Sequence, residues 1–158
     1  MKPEAIILDT NLLILLIVGL SRADRFANHK NLKNFHLPSD FEILQSLLHG
    51  ISQIILTPNT LTETSNLLRQ IANPARNELS RMLGHFLQNC PEVYIRSVDA
   101  AGQLNFEKLG LTDAALLHLL ADQTQQDQRL LLTMDLDLYL AATALELKAI
   151  NFNEFRDM

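Results

Sequence analysis

Four acidic residues, Asp9, Glu63, Asp113 and Asp135, stand where a parallel α/β chain does its chemistry. Asp9 closes the short apolar run Ala5–Leu8, and Asp135 follows Leu130-Leu131-Leu132-Thr133-Met134. Apolar runs of this length, bounded by polar residues, read as buried parallel strands, and open α/β sheets place their sites just beyond the carboxyl ends of such strands. Glu63 and Asp113 come early in helices that follow apolar or turn segments. Acids there face the positive end of the helix macrodipole, so capping is a sufficient reason for either one alone. Gathered in one crevice, these carboxylates would repel one another and raise each other's pKa values. Such a cluster is stable in its ionised form only beside a cation. Oxygen donors with no Cys and no nearby His favour Mg²⁺ or Mn²⁺ over Zn²⁺. Divalent ions held in this way serve phosphodiester hydrolysis by activating water, and no Ser or Cys nucleophile with a His partner competes as an explanation. Asp137, two residues beyond Asp135, reads equally as a fifth acid of the set and as a helix cap or surface residue.

Composition bounds the partners. The 158 residues suffice for one domain with a real core, and 47% apolar with 20% charged residues marks a globular chain. A formal charge of −5 excludes a protein that holds nucleic acid by bulk electrostatics. The single cysteine, Cys90, excludes an intramolecular disulfide and a Cys-rich zinc site, and fits a reducing cytoplasm. Leu12–Leu20 is apolar, but Asn11 and Asp9 separate it from Ile6–Leu8, and a membrane span needs about 20 apolar residues. The expectation is a strand turning into a buried helix, with no membrane segment and no clean signal peptide.

The elements that must position the acids follow in order. Leu12–Leu20 is apolar on every side, as in an interior helix, with Gly19 loosening its end. Ser39-Asp40 opens a helix whose Leu44, Leu47, Leu48 and Ile51 fall at helical spacing. Ile54–Leu56 is the second strand, followed by helices at about Leu61–Ala72 and Asn77–Gln88. Val93–Ile95 is a weak third strand or an extended segment. Thr112 is the expected N-cap of a helix over Ala114–Asp122. Leu130–Leu132 is the fourth strand, Leu136–Leu147 a helix, and Ala149–Phe152 the fifth strand. This alternation predicts one domain, a three-layer α/β/α sandwich with a mostly parallel sheet in the order 3-2-1-4-5. That order sets Asp9 and Asp135 on the two sides of the switch-point crevice.

Ser21–Asp40 carries Arg22, Arg25, His29, Lys30, Lys33 and His36. A solvated loop or helical hairpin accounts for it, and so does a basic flap over the site that binds nucleic acid through Arg22, Arg25, Lys30 and Lys33. His49, His85 and His118 lie within amphipathic helices and read as ordinary surface or half-buried residues.

At these residues the chain resembles the PIN domain family. The resemblance rests on Asp9-Thr10-Asn11, on Glu63 in Thr60-Leu61-Thr62-Glu63, on Asp113 in Leu111-Thr112-Asp113-Ala114, and on Thr133-Met134-Asp135, in that order across nearly the whole chain. It implies a Mg²⁺- or Mn²⁺-dependent ribonuclease with Asp9 as central metal ligand and Glu63 and Asp113 as further acids. Asp135 would complete the metal site directly or through water. Thr10, Asn11 and Thr133 would orient ligands or waters, with Asp137 as an additional acid. Many small members are VapC-type toxins of toxin–antitoxin pairs, so the resemblance also implies an RNA substrate and an antitoxin partner. An acidic enzyme acting on RNA further suggests an assembly that pools basic residues, most simply a homodimer. The length, the basic stretch and the extra helix at Asn77–Gln88 set the chain apart from a typical small toxin.

Two other classes compete. A binding module with an unused site would bind Mn²⁺ no better than a surface carboxylate pair. A phosphatase or receiver-like domain phosphorylated on Asp9 would need a neutralising Lys at a strand end, and no strand here ends in Lys.

Overall fold

The computed structural model describes residues 3–21, 39–122 and 128–156. The basic residues Arg22, Arg25, His29, Lys30, Lys33 and His36 lie outside the described residues.

The first strand, β1 (Ala5–Leu8), leads through Asp9 into helix α1 (Thr10–Leu20). Helix α2 (Ser39–Leu48) precedes β2 (Gln53–Ile55), which runs into α3 (Pro58–Leu68) and α4 (Ala75–Leu87). Two short helices, α5 (Ser97–Ala101) and α6 (Phe106–Leu109), come before α7 (Leu111–Leu120). Then follow β3 (Arg129–Thr133), α8 (Leu136–Ala144), β4 (Ala149–Asn151) and α9 (Asn153–Arg156). The four strands form one all-parallel sheet in the order β2-β1-β3-β4.

Alternation along β1 sorts the core into two sides. Ile6 and Leu8 join Leu132 and the apolar faces of α1, α2, α3 and α4, whereas Ala5 and Ile7 join Leu131 and those of α5, α7 and α8. The result is a three-layer α/β/α arrangement. Helix α1 is the keystone of its side: Leu12 through Val18 are all buried, so the helix is enclosed as its apolar sequence requires. At roughly 2 kcal/mol for each fully buried aliphatic side chain, this run is a large share of the drive to close the fold at the edge of the site.

The expected five-stranded sheet has four strands among the described residues. In place of a strand at Val93–Ile95 there is one parallel bridge, Leu56 with Glu92, in which the Leu56 N–H donates to the Pro91 carbonyl (3.0 Å) and the Val93 N–H to the Leu56 carbonyl (2.8 Å). Pro91 has no N–H to continue a ladder, and Tyr94 and Arg96 face solvent, so pairing stops after one rung. Helix boundaries also differ. α3 starts at Pro58 behind a Thr57 cap, because proline is tolerated in a first turn. Thr112 is not the N-cap of α7. That position is Gly110, whose φ of +85° reverses the chain between α6 and α7 and is a conformation that favours glycine. Helices α5, α6 and α9 went unread because four or five residues carry too little periodicity.

Gly19 serves packing rather than fraying. A β-carbon there would clash with the ring edge of Phe41 on α2, so α1 and α2 approach as closely as they do only because the side chain is absent. Gly19→Ala is expected to cost about 1–3 kcal/mol through overpacking. Gly19→Ala/Phe41→Leu should recover part of the loss in a denaturant titration. Next to Phe41 at the same end of α2, the buried Asp40 pairs with Arg156 of α9 at 3.1 Å, tying the last described helix to this end of α2. Among the described residues no helix is long and apolar enough to cross a membrane.

Candidate active site

Register alone brings the first two site residues together. Leu8 pairs with Leu132, so the next residues, Asp9 and Thr133, emerge side by side at the carboxyl ends of β1 and β3. The Asp9 side chain is 3% exposed and anchors three elements. Its Oδ1 accepts the Leu12 N–H at 2.9 Å and so caps α1. Its Oδ2 accepts the Thr133 hydroxyl and the Met134 N–H, the latter at 2.8 Å. Burial pushes the Asp9 pKa above the usual carboxylate value, these three donors pull it back, and the nearby Asp135 raises it again.

Asp135 is reached through the same threonine. Thr133 Oγ1 accepts the Asp135 N–H at 3.0 Å, and Asp135 Oδ1 in turn accepts the Leu138 N–H at 3.1 Å as the cap of α8. Thr133 therefore couples Asp9 to the start of α8. Thr133→Val keeps the shape but removes both bonds. It is expected to cost about 2 kcal/mol, the scale of an unsatisfied buried polar group, and thermal melting checks it.

Glu63 is brought in by α3, in the second turn of the helix. Its Oε2 accepts the Thr10 hydroxyl of α1 at 3.0 Å, which orients the acid across the gap between the helices. Asp113 occupies the third position of α7, placed there by the turn at Gly110.

These four acids line one open cleft of about 360 Å³, together with Thr10, Asn11, Asn66 and Leu67. Among the described residues no Lys or Arg lines it. Asp113 shows the consequence most clearly. Its pKa is pushed up to about 7, first by burial and then by the charges of Asp135, Asp9 and Glu63. Among the described residues no hydrogen-bond donor reaches the Asp113 carboxyl. The N-termini of α1, α7 and α8 all meet at the cleft, and their positive dipole ends offset part of the repulsion.

Asp137 lies apart from the cleft lining. It sits in the first turn of α8, where it pairs with Lys108 of α6 at 3.4 Å with both side chains more than half exposed. That placement answers to its surface reading. Asn66 was missed, although its spacing of three from Glu63 on one helix puts both on the same face. Leu67 supplies an apolar wall that no spacing rule singles out.

Among the described residues, no three His, Cys, Asp or Glu side chains converge closely enough to hold an ion as they stand. Fold and site together define a parallel α/β protein with a four-carboxylate cleft at the carboxyl ends of its central strands. The chain matches no family model and no curated protein sequence.

Proposed function

We propose that this chain is a PIN-like endoribonuclease that hydrolyses RNA phosphodiester bonds with Mg²⁺ or Mn²⁺. The observation that carries the reading is Asp113. Asp9 and Asp135 each have a structural task as helix caps, and Glu63 is held by Thr10, but Asp113 neither caps a helix nor meets a donor among the described residues. A half-buried carboxyl facing three others costs stability, and a cation in the cleft removes that cost.

The donor set fits a hard divalent ion: four carboxylates and neutral amides and hydroxyls, with no thiol or imidazole among them. Asp9 has Oδ2 filled by two donors, leaving Oδ1 with one lone pair to offer. Asp135 offers Oδ2, and Asp113 offers both oxygens. When bound, the ion supplies an activated water and neutralises charge on the phosphate. The Thr10 hydroxyl holds Glu63 at the cleft, and Thr133 fixes Asp9. The amides of Asn11 and Asn66 are the uncharged donors beside the acids that can reach a phosphate oxygen.

The chain's net charge of −5 leaves RNA affinity to local basic residues or to a partner. A toxin-like role with an antitoxin, a homodimer and a cytoplasmic setting belong to the same proposal. A second reading is a PIN-fold binding module with an unused site. It is favoured by the lack of a preassembled ligand group and by the capping roles of Asp9 and Asp135. Incubation with a pool of structured and single-stranded RNAs, with Mn²⁺, with Mg²⁺ and with EDTA, separates the two. The nuclease cuts only with metal. The module cuts nothing and shows no Mn²⁺ uptake by calorimetry.

A further inference from the structure

A second depression shares Glu63 with the acidic cleft. It measures about 290 Å³; apolar Pro58 and Ile95 and the ring of Tyr94 line it together with Glu63, Asn59, Thr62, Ser97 and Thr112. Glu63 lines both spaces, so the two are adjacent, and Thr112, which lines the second, directly precedes Asp113, which lines the first.

The chemistry of the two spaces differs. The acidic cleft suits a cation and a phosphate. Apart from Glu63, the neighbouring groove offers apolar surface from Pro58 and Ile95, an amide, three hydroxyls and an aromatic ring that is 73% exposed. An aromatic side chain so open to water makes little contribution to the core. Its setting among apolar and neutral hydrogen-bonding groups resembles what a nucleobase needs: a face to stack on and edges to bond with. Its volume lies near the lower limit of small-molecule sites, about 300 Å³, a scale that suits a single nucleoside.

Resting on the nuclease reading, we infer that this groove is a base-binding subsite, in which the nucleotide next to the scissile phosphate stacks on Tyr94. Asn59, Thr62, Ser97 and Thr112 surround the edge of that base. Bases held in an A-form helix are not free to stack on a side chain, so a duplex does not fill this subsite.

The test is binding, measured apart from cleavage. A fluorescein-labelled single-stranded RNA of about ten nucleotides, long enough for a typical single-strand site, is titrated in EDTA at low salt with wild-type protein, Tyr94→Phe and Tyr94→Ala. Tyr94 is exposed, so neither substitution disturbs the fold. Wild type and Tyr94→Phe should bind alike, with Tyr94→Ala weaker by roughly tenfold, the scale of one base–aromatic stack. The same sequence as a duplex should bind wild type no better than the single strand binds Tyr94→Ala. Equal binding by Tyr94→Ala and wild type, preference for the duplex, or no binding by wild type overturns the subsite. A Tyr94-dependent affinity in a protein that never cuts RNA with metal would instead keep the subsite and remove the nuclease.

Discussion

Without divalent cations, the protein should lose thermal stability as the pH rises from about 4 to about 7, and Mn²⁺ should reverse the loss. The sign follows from Asp113, whose pKa is raised from 3.8 to about 7 in the folded chain. Between those values the native state holds a proton that the unfolded state has released. The stabilisation is complete below the unfolded pKa, shrinks as the pH climbs, and is gone above the folded pKa. Asp9 is raised as well and adds in the same direction. Discounted for the water that reaches Asp113, about 1 kcal/mol remains, which moves the melting point of a chain this size by roughly 2–4 °C. Asp113→Asn should flatten the profile and melt higher than wild type at the upper end of the range. A wild-type melting point that climbs steadily over this window would mean that the four carboxylates do not share one field.

The second expectation concerns what separates two aspartates of the same cleft. Asp113→Asn and Asp9→Asn should each reduce metal-dependent RNA cleavage by at least roughly 100-fold, since outer-shell partners of metal ligands alone account for about 10–100-fold. Their effects on folding should part. Asp113 has no donor to lose, so its asparagine variant keeps or gains stability. At Asp9 both Oδ2 bonds are needed, and an asparagine that still accepts the Leu12 N–H turns its amide toward the Met134 N–H. An unsatisfied N–H costs about 1–3 kcal/mol, offset in part by removal of a buried charge. Melting curves beside cleavage assays read both effects. Wild-type activity in Asp113→Asn would remove this carboxyl from the chemistry, while an unfolded Asp113→Asn would make it a structural acid.

Much of the frame was legible in the chain. The runs Ala5–Leu8 and Leu130–Leu132 announce buried parallel strands, and Leu12–Val18 announces an enclosed helix, because burial on all sides leaves no room for polar residues. Asp9 and Asp135 stood out as acids that end apolar runs. Less legible was whatever depends on a few residues or on a partner across space. The weak run at Val93–Ile95 looks like a strand until Pro91 and the exposed Tyr94 are seen to leave it a single rung. The start of α7 turns on the backbone of Gly110, which Thr112 masks in a capping rule.

Local patterning is enough to set the acids at strand ends and helix starts, since it places each within its own element. That they share a cleft is the work of long-range packing. The register of β1 against β3 sets Asp9 beside Thr133, Thr10 reaches 53 residues along the chain to Glu63, and α7 brings Asp113 into the field of the other three. The same packing turns Asp137 to Lys108 and sets Tyr94 and Glu63 in the lining of one depression. These are relations between residues far apart in the chain. No local preference encodes them, and they exist only once the packing of two helical layers on one sheet fixes every distance at once.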